Sequence, residues 1–227
     1  MMSSEPHLHD HDHDHDHNHG RDHDDHAPIA ADVKPGYHEV MEIAVRELLT
    51  EKGYITGNDI RHQIEVLDSR TPALGAAVVA RAWTDPEFKS RLLEDGRKGC
   101  EELGISFYDD TQLIVLENTA DVHNLIVCTL CSCYPRPVLG LPPDWYKLKP
   151  YRARAVIEPR KVLAEFGTII PDEVEIRVSD STAVVRYLVL PRRPEGTEGW
   201  SEEQLAALVT RDAMIGVIPV TLDKEAA

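Results

Sequence analysis

Three thiols lie within six residues, Cys128-Thr129-Leu130-Cys131-Ser132-Cys133, in a chain whose only other cysteine is Cys100. No other feature constrains the fold as strongly, because sulfurs this close in sequence must be delivered to nearly one point in space. They cannot satisfy one another. A disulfide between Cys131 and Cys133 would close a small strained ring and still leave Cys128 over. Three soft donors converging on one point suit a transition metal instead. Structural zinc wants a closed tetrahedron, usually two ligand pairs separated by a longer loop. Cys128 and Cys131 supply one such pair, and after Cys133 the chain holds neither cysteine nor histidine. A closed site would have to recruit His123 or reach back to Cys100.

The Cys131-Ser132-Cys133 tripeptide opens a second possibility. Its two sulfurs and the backbone nitrogens of Ser132 and Cys133 can face one ion if those amides lose their protons. A deprotonated amide is a strong-field donor and suits a low-spin trivalent ion better than zinc. With the sulfur of Cys128 added, one octahedral position stays open for water or substrate.

Hydrophobic periodicity places this motif in a fold. Tyr37–Lys52 reads as an amphipathic helix with Val40, Ile43, Ala44 and Leu48 on one face and Gly53 ending it. Asn58–Leu67 and Pro72–Trp83 read as further helices. Thr84-Asp85-Pro86-Glu87 has the form of a capping box with proline in the first turn, opening a helix toward Glu102. Ser201-Glu202-Glu203-Gln204 opens another toward Met214. Short β-branched runs at Leu113–Leu116, Asn124–Cys128, Val174–Val178 and Val184–Leu190 read as strands. The pattern gives an α+β fold with a helical N-terminal arm, divided as residues 1–35, 36–105 and 106–220. The metal motif leaves the strand Leu125-Ile126-Val127, so a rigid element fixes Cys128 while an irregular loop turns its amides inward.

Charge excludes some partners. The formal charge of −16 disfavours nucleic acid and anionic membranes. No stretch approaches the ~18 apolar residues of a membrane span, and the start lacks the apolar core of a signal peptide. Few cysteines, clustered at one site, fit a reducing compartment, so a cytoplasmic location is expected. Residues 1–35 carry nine acidic and two basic residues. Within them, His9–His17 alternates with aspartate and offers nothing apolar to bury, so this tail is expected to be disordered. Such a tract can chelate divalent cobalt, nickel or zinc weakly and capture metal for loading, or it is simply a solvated tail.

The stretch Val127-Cys128-Thr129-Leu130-Cys131-Ser132-Cys133-Tyr134 resembles the metal-binding motif of nitrile hydratase alpha subunits. The resemblance continues through Leu139–Lys147, Tyr151–Val156, Glu158–Gly167, Arg186–Pro191 and Gly196–Trp200, across roughly residues 37–218. It implies an enzyme that hydrates nitriles to amides at a non-corrin Co(III), or a non-haem Fe(III). The metal would be held by the sulfurs of Cys128, Cys131 and Cys133 and the backbone nitrogens of Ser132 and Cys133, with Cys133 and Ser132 at the reacting position. The resemblance further implies a sulfinate at Cys131 and a sulfenate at Cys133. Thr129 resembles the cobalt branch, whereas iron members usually carry serine. A layered α-β-β-α domain is implied, with the helical arm wrapping a beta subunit that supplies two arginines to the oxidised sulfurs. A separate activator protein for metal loading belongs to the same expectation.

One residue departs from that family. Arg136 stands where nitrile hydratases commonly carry tryptophan, and Tyr134-Pro135-Arg136-Pro137 is similar to thiocyanate hydrolase gamma subunits. A guanidinium in the substrate pocket suits an anion better than an apolar nitrile. Against this, Leu139-Gly140-Leu141-Pro142-Pro143 is similar to nitrile hydratase. Arg186 matches a family arginine near the subunit interface. Arg152, Arg154 and Arg160 read as one basic patch just after the motif, contacting a partner or lining the active-site rim, or else solvated or paired on the surface. His123 reads as a satisfied strand-edge histidine, Cys100 as packing, and Trp145 and Tyr146 as core or pocket wall. The competing class is a structural or storage protein for zinc or copper(I).

Overall fold

The computed structural model describes residues 36–108 and 110–222. The His/Asp-rich tract and the expectations attached to residues 1–35 lie outside the described residues. The chain divides into two units, residues 1–55 and 56–227. The first contains α1 (Tyr37–Glu51), where the Gly36 amide donates to the Glu39 carboxylate at 2.7 Å. Its Val40, Ile43 and Leu48 are exposed.

The second unit begins with α2 (Gly57–Asp68), α3 (Pro72–Thr84), α4 (Pro86–Glu94) and α5 (Gly96–Glu102). Strands β1 (Gln112–Glu117) and β2 (Val122–Val127) follow, then four short helices: α6 (Arg136–Leu139), α7 (Asp144–Lys147), α8 (Lys149–Ile157) and α9 (Pro159–Glu165). The unit closes with β3 (Glu175–Asp180), β4 (Val185–Leu190), α10 (Glu202–Ala206) and α11 (Arg211–Ile215). No helix of the described residues is long and apolar enough to cross a membrane.

The four strands form two parallel pairs, β1 with β4 and β2 with β3. Gln112 stands opposite Val185 in the first, and Val127 opposite Asp180 in the second. Helices α4 and α5 lie on β1, β2 meets β4 between the sheets, and α8 and α9 lie on β2 and β3. That order is alpha, beta, beta, alpha, the mixed and layered architecture expected. Strand β2 is buried over five of its six residues, so it shows a continuous apolar run in place of alternation.

Two expected helices are broken. The stretch from Thr84 to Glu102 is α4 and α5, separated at Asp95, whose backbone is extended. The Asp95 carboxylate accepts from the Lys98 amide and restarts the helix. Gly96 then lets α5 approach β1, since a Cβ there would lie 2.6 Å from the Leu113 carbonyl oxygen. The cap of α4 is Asp85, which accepts from the amides of Glu87 and Phe88, while Thr84 ends α3. Likewise the Ser201–Gln204 capping box forms, but its helix stops at Ala206 and Thr210 caps α11 separately. Helices α6 to α9 went unread because each is too short to show a period and prolines punctuate the stretch.

His123 is buried, and its Nε2 donates to the Gly216 carbonyl at 2.7 Å. Burial holds its pKa below the ordinary value, with the Gly216 bond opposing. The unfolded chain therefore takes up the proton first as pH falls. Stability from this group is expected to be full above pH ~6.5 and to decline below it. Urea midpoints measured between about pH 7.5 and 5.5 should fall for the native chain and flatten in His123→Asn. An equally steep profile in that variant would place the proton elsewhere.

Candidate metal centre

Strand β2 delivers Cys128. The residue directly follows Val127 and, like it, is fully buried. The chain then leaves the sheet as an irregular loop that carries Cys131 to the surface and Cys133 to a half-buried position. The Cys128 and Cys131 sulfurs are 3.3 Å apart, those of Cys131 and Cys133 3.2 Å, and all three lie within 4.8 Å of one another. All are free thiols. His123 is committed to Gly216 and Asn118, and Cys100 is buried away from the cluster with its pKa pushed up to about 12 by burial. Neither joins the three sulfurs to close a tetrahedron.

Electrostatics single out Cys131. Hydrogen bonds from the thiols of Cys133 and then Cys128 lower its pKa to about 7, and the backbone amides of Cys133 and Ser132 act in the same direction. Burial, then the neighbouring Cys131, pushes Cys133 up to about 12. The Cys131 proton leaves easily, whereas that of Cys133 needs a cation to replace it. Among the described residues, neither the Ser132 nor the Cys133 amide donates to a backbone carbonyl.

Three elements hold the loop. From β3, Asp180 accepts from the Thr129 amide at 2.9 Å and from its hydroxyl at 2.6 Å. From α7, the Tyr146 hydroxyl donates to the Cys133 carbonyl at 2.9 Å. From α8, Arg152 Nη1 donates to the Cys131 carbonyl at 3.0 Å and, more loosely, to that of Thr129. The strand below is tied to the same helix by Tyr151, whose hydroxyl donates to the Ile126 carbonyl at 2.7 Å.

A cavity of about 350 Å³ opens on the loop, lined by Cys131, Ser132 and Cys133 together with Arg70, Arg136 and Arg186 among others. Arg136 lines this cavity beside the three loop residues. Arg186, read at sequence level as interface support, lines the same cavity and lowers the pKa of Cys133, against the larger effect of burial. Its guanidinium also donates to the Thr182 and Val185 carbonyls.

The basic patch does not exist as one feature. Arg154 pairs with Glu158 and Glu165, and Arg160 donates to the carbonyls of Ile170, Pro171 and Val174. Only Arg152 turns to the loop. Trp145 and Tyr146 pack in an aromatic cluster with Tyr151, and Tyr146 is fully buried. Sequence reading missed Asp180 altogether. Its only signal was its place at the end of a β-branched run.

Known proteins match both sequence and fold. The sequence profile described as Nitrile hydratase, alpha chain, matches residues 36–218. The alpha subunit of the low-molecular-weight cobalt-containing nitrile hydratase of Rhodococcus rhodochrous is 56% identical over 183 residues, covering 80% of this chain and 88% of its own. The thiocyanate hydrolase gamma subunit of Thiobacillus thioparus is 46% identical over 202 residues, covering 84% and 82%. A solved double mutant of the Fe-type nitrile hydratase of Comamonas testosteroni Ni1 superposes with a TM-score of 0.75 at 45% identity, covering 82% of this chain and 91% of that one. With three free sulfurs gathered at the end of a buried strand and a profile match spanning all but the chain's two ends, the chain belongs to the nitrile hydratase alpha-chain family.

Proposed function

We propose that this chain is the metal-bearing alpha subunit of a cobalt-type nitrile hydratase, which adds water across a nitrile to give the amide. The observation that carries the reading is the convergence of Cys128, Cys131 and Cys133 within 4.8 Å beside a cavity. The donor set fits: soft sulfurs select a transition metal, and the Ser132 and Cys133 amides, which donate to no backbone carbonyl among the described residues, can complete a low-spin Co(III) site. Fe(III) is the alternative ion, and Thr129 favours cobalt. When bound by these residues, the ion would supply Lewis acidity beside the cavity.

The chain's own groups do the rest. Cys133, as sulfenate, presents an oxygen that takes the proton of the attacking water, and Ser132 lies beside it. Cys131, as sulfinate, carries negative charge at the exposed edge of the centre, where arginines of a beta subunit would pair with it. The exposed apolar side chains of α1 support docking of the arm on that subunit. A cytoplasmic location and an activator for metal loading complete the reading.

Arg136 in the cavity favours a second reading, a thiocyanate hydrolase gamma subunit, because a guanidinium holds an anion. The test is metal analysis, intact mass and turnover on the chain co-purified with its partner. Cobalt at one per chain with about 48 Da of added oxygen is expected, with nitrile hydrated and thiocyanate untouched. Thiocyanate turnover would move the chain to the second reading. Zinc on unmodified cysteines would make it a structural metal protein.

A further inference from the structure

The peptide bond between Cys131 and Ser132 has two ends. Its nitrogen is one of the amide donors proposed above for the metal, and its oxygen is the Cys131 carbonyl. When an amide nitrogen binds a cation as an anionic donor, the added electron density is shared with the carbonyl oxygen through the peptide resonance. That oxygen accepts from Arg152 Nη1 at 3.0 Å.

Arg152 is poised for this and for little else. Among the described residues no carboxylate pairs with it, whereas its neighbour Arg154 is held by Glu158 and Glu165. Its Nε is buried and without a hydrogen-bond partner. The side chain rises from α8, which packs on β2, so the guanidinium is anchored to the strand that carries Cys128. Its weaker bond to the Thr129 carbonyl spans the loop on the other side of Leu130.

We infer that Arg152 is a positioning residue of the metal centre: its guanidinium orients the Cys131–Ser132 peptide with the nitrogen toward the sulfurs and neutralises the charge that metal binding places on the oxygen. The inference rests on the proposed amide ligation. It concerns the chain's own residue and not the reacting atoms.

The test uses the complex of chain and partner, expressed with cobalt and then dialysed against a chelator. Native protein, Arg152→Gln, Arg152→Lys and Arg154→Gln are compared by cobalt per chain over time and by the sulfur-to-cobalt charge-transfer absorption. Outer-shell partners of a metal centre typically set affinity by 10–100-fold. Arg152→Gln is therefore expected to lose cobalt at least about tenfold faster, with a displaced absorption band and unchanged far-UV circular dichroism. Arg152→Lys should fall between, since an ammonium restores the charge but not the fork. Arg154→Gln should match the native protein.

Native retention and an unshifted band in Arg152→Gln would overturn the role of Arg152 alone. Cobalt loss that merely tracks loss of fold in both Arg152 variants would make it a structural residue, and overturn it too. A native complex that holds no cobalt would overturn the centre itself.

Discussion

Cys128→Ser is expected to leave the chain without cobalt and to lower turnover at least about a thousandfold, the removal of roughly 4 kcal/mol of transition-state stabilisation. The residue is fully buried at the end of β2, and its sulfur lies 3.3 Å from that of Cys131. A hydroxyl is a harder, shorter donor that does not favour the same ion. Folding should suffer only modestly, by about 1–3 kcal/mol for a buried hydroxyl lacking a good partner. Cys100→Ser provides the matched comparison, since that thiol is equally buried and lies outside the cluster. The two variants should lose similar stability by urea titration, and only Cys128→Ser should lose cobalt by elemental analysis. Cobalt retained at one per chain in Cys128→Ser would remove that sulfur from the centre.

The second large effect concerns a residue far along the chain. Gly216→Ala is expected to destabilise the fold by about 3 kcal/mol or more, a fall in Tm of roughly 6–12 °C. Gly216 ends α11 in the left-handed region at φ 92°, and a Cβ there would lie 2.1 Å from the Asn124 carbonyl oxygen. That oxygen belongs to β2, so relief requires moving the strand that carries Cys128. The same glycine accepts the His123 hydrogen bond. Gly167→Ala separates the two causes: it has a similar φ of 81° with nothing within 4 Å, so only backbone strain applies, about 1 kcal/mol. Equal losses in the two variants, by thermal unfolding, would show that contact with β2 is immaterial.

Much of the fold was legible because local rules decided it. The strands fall within two residues of the expected runs, and Ser201 and Gln204 form the capping box their spacing announces. The errors lie where tertiary contact overrode the local pattern. Nothing in a helical period marks Asp95 as a break, because the reason for the break is the packing of Gly96 against β1. The prolines between residues 135 and 159 masked four short helices that follow the loop in sequence.

The same division holds at the centre. Cys128, Cys131 and Cys133 could be named from sequence because connectivity alone keeps three sulfurs close when they lie within six residues. The family followed from that motif and its flanks. What surrounds the sulfurs was decided only by folding. Asp180 reaches Thr129 across 51 residues because β3 pairs in parallel with β2, a pairing with no turn signal to betray it. Arg152, Arg154 and Arg160 look alike along the chain, yet helical rotation and packing send one guanidinium to the metal loop and the other two to carboxylates and carbonyls elsewhere. Local spacing determines which atoms can bind an ion; long-range packing, which leaves no period in the sequence, determines which charges stand behind them.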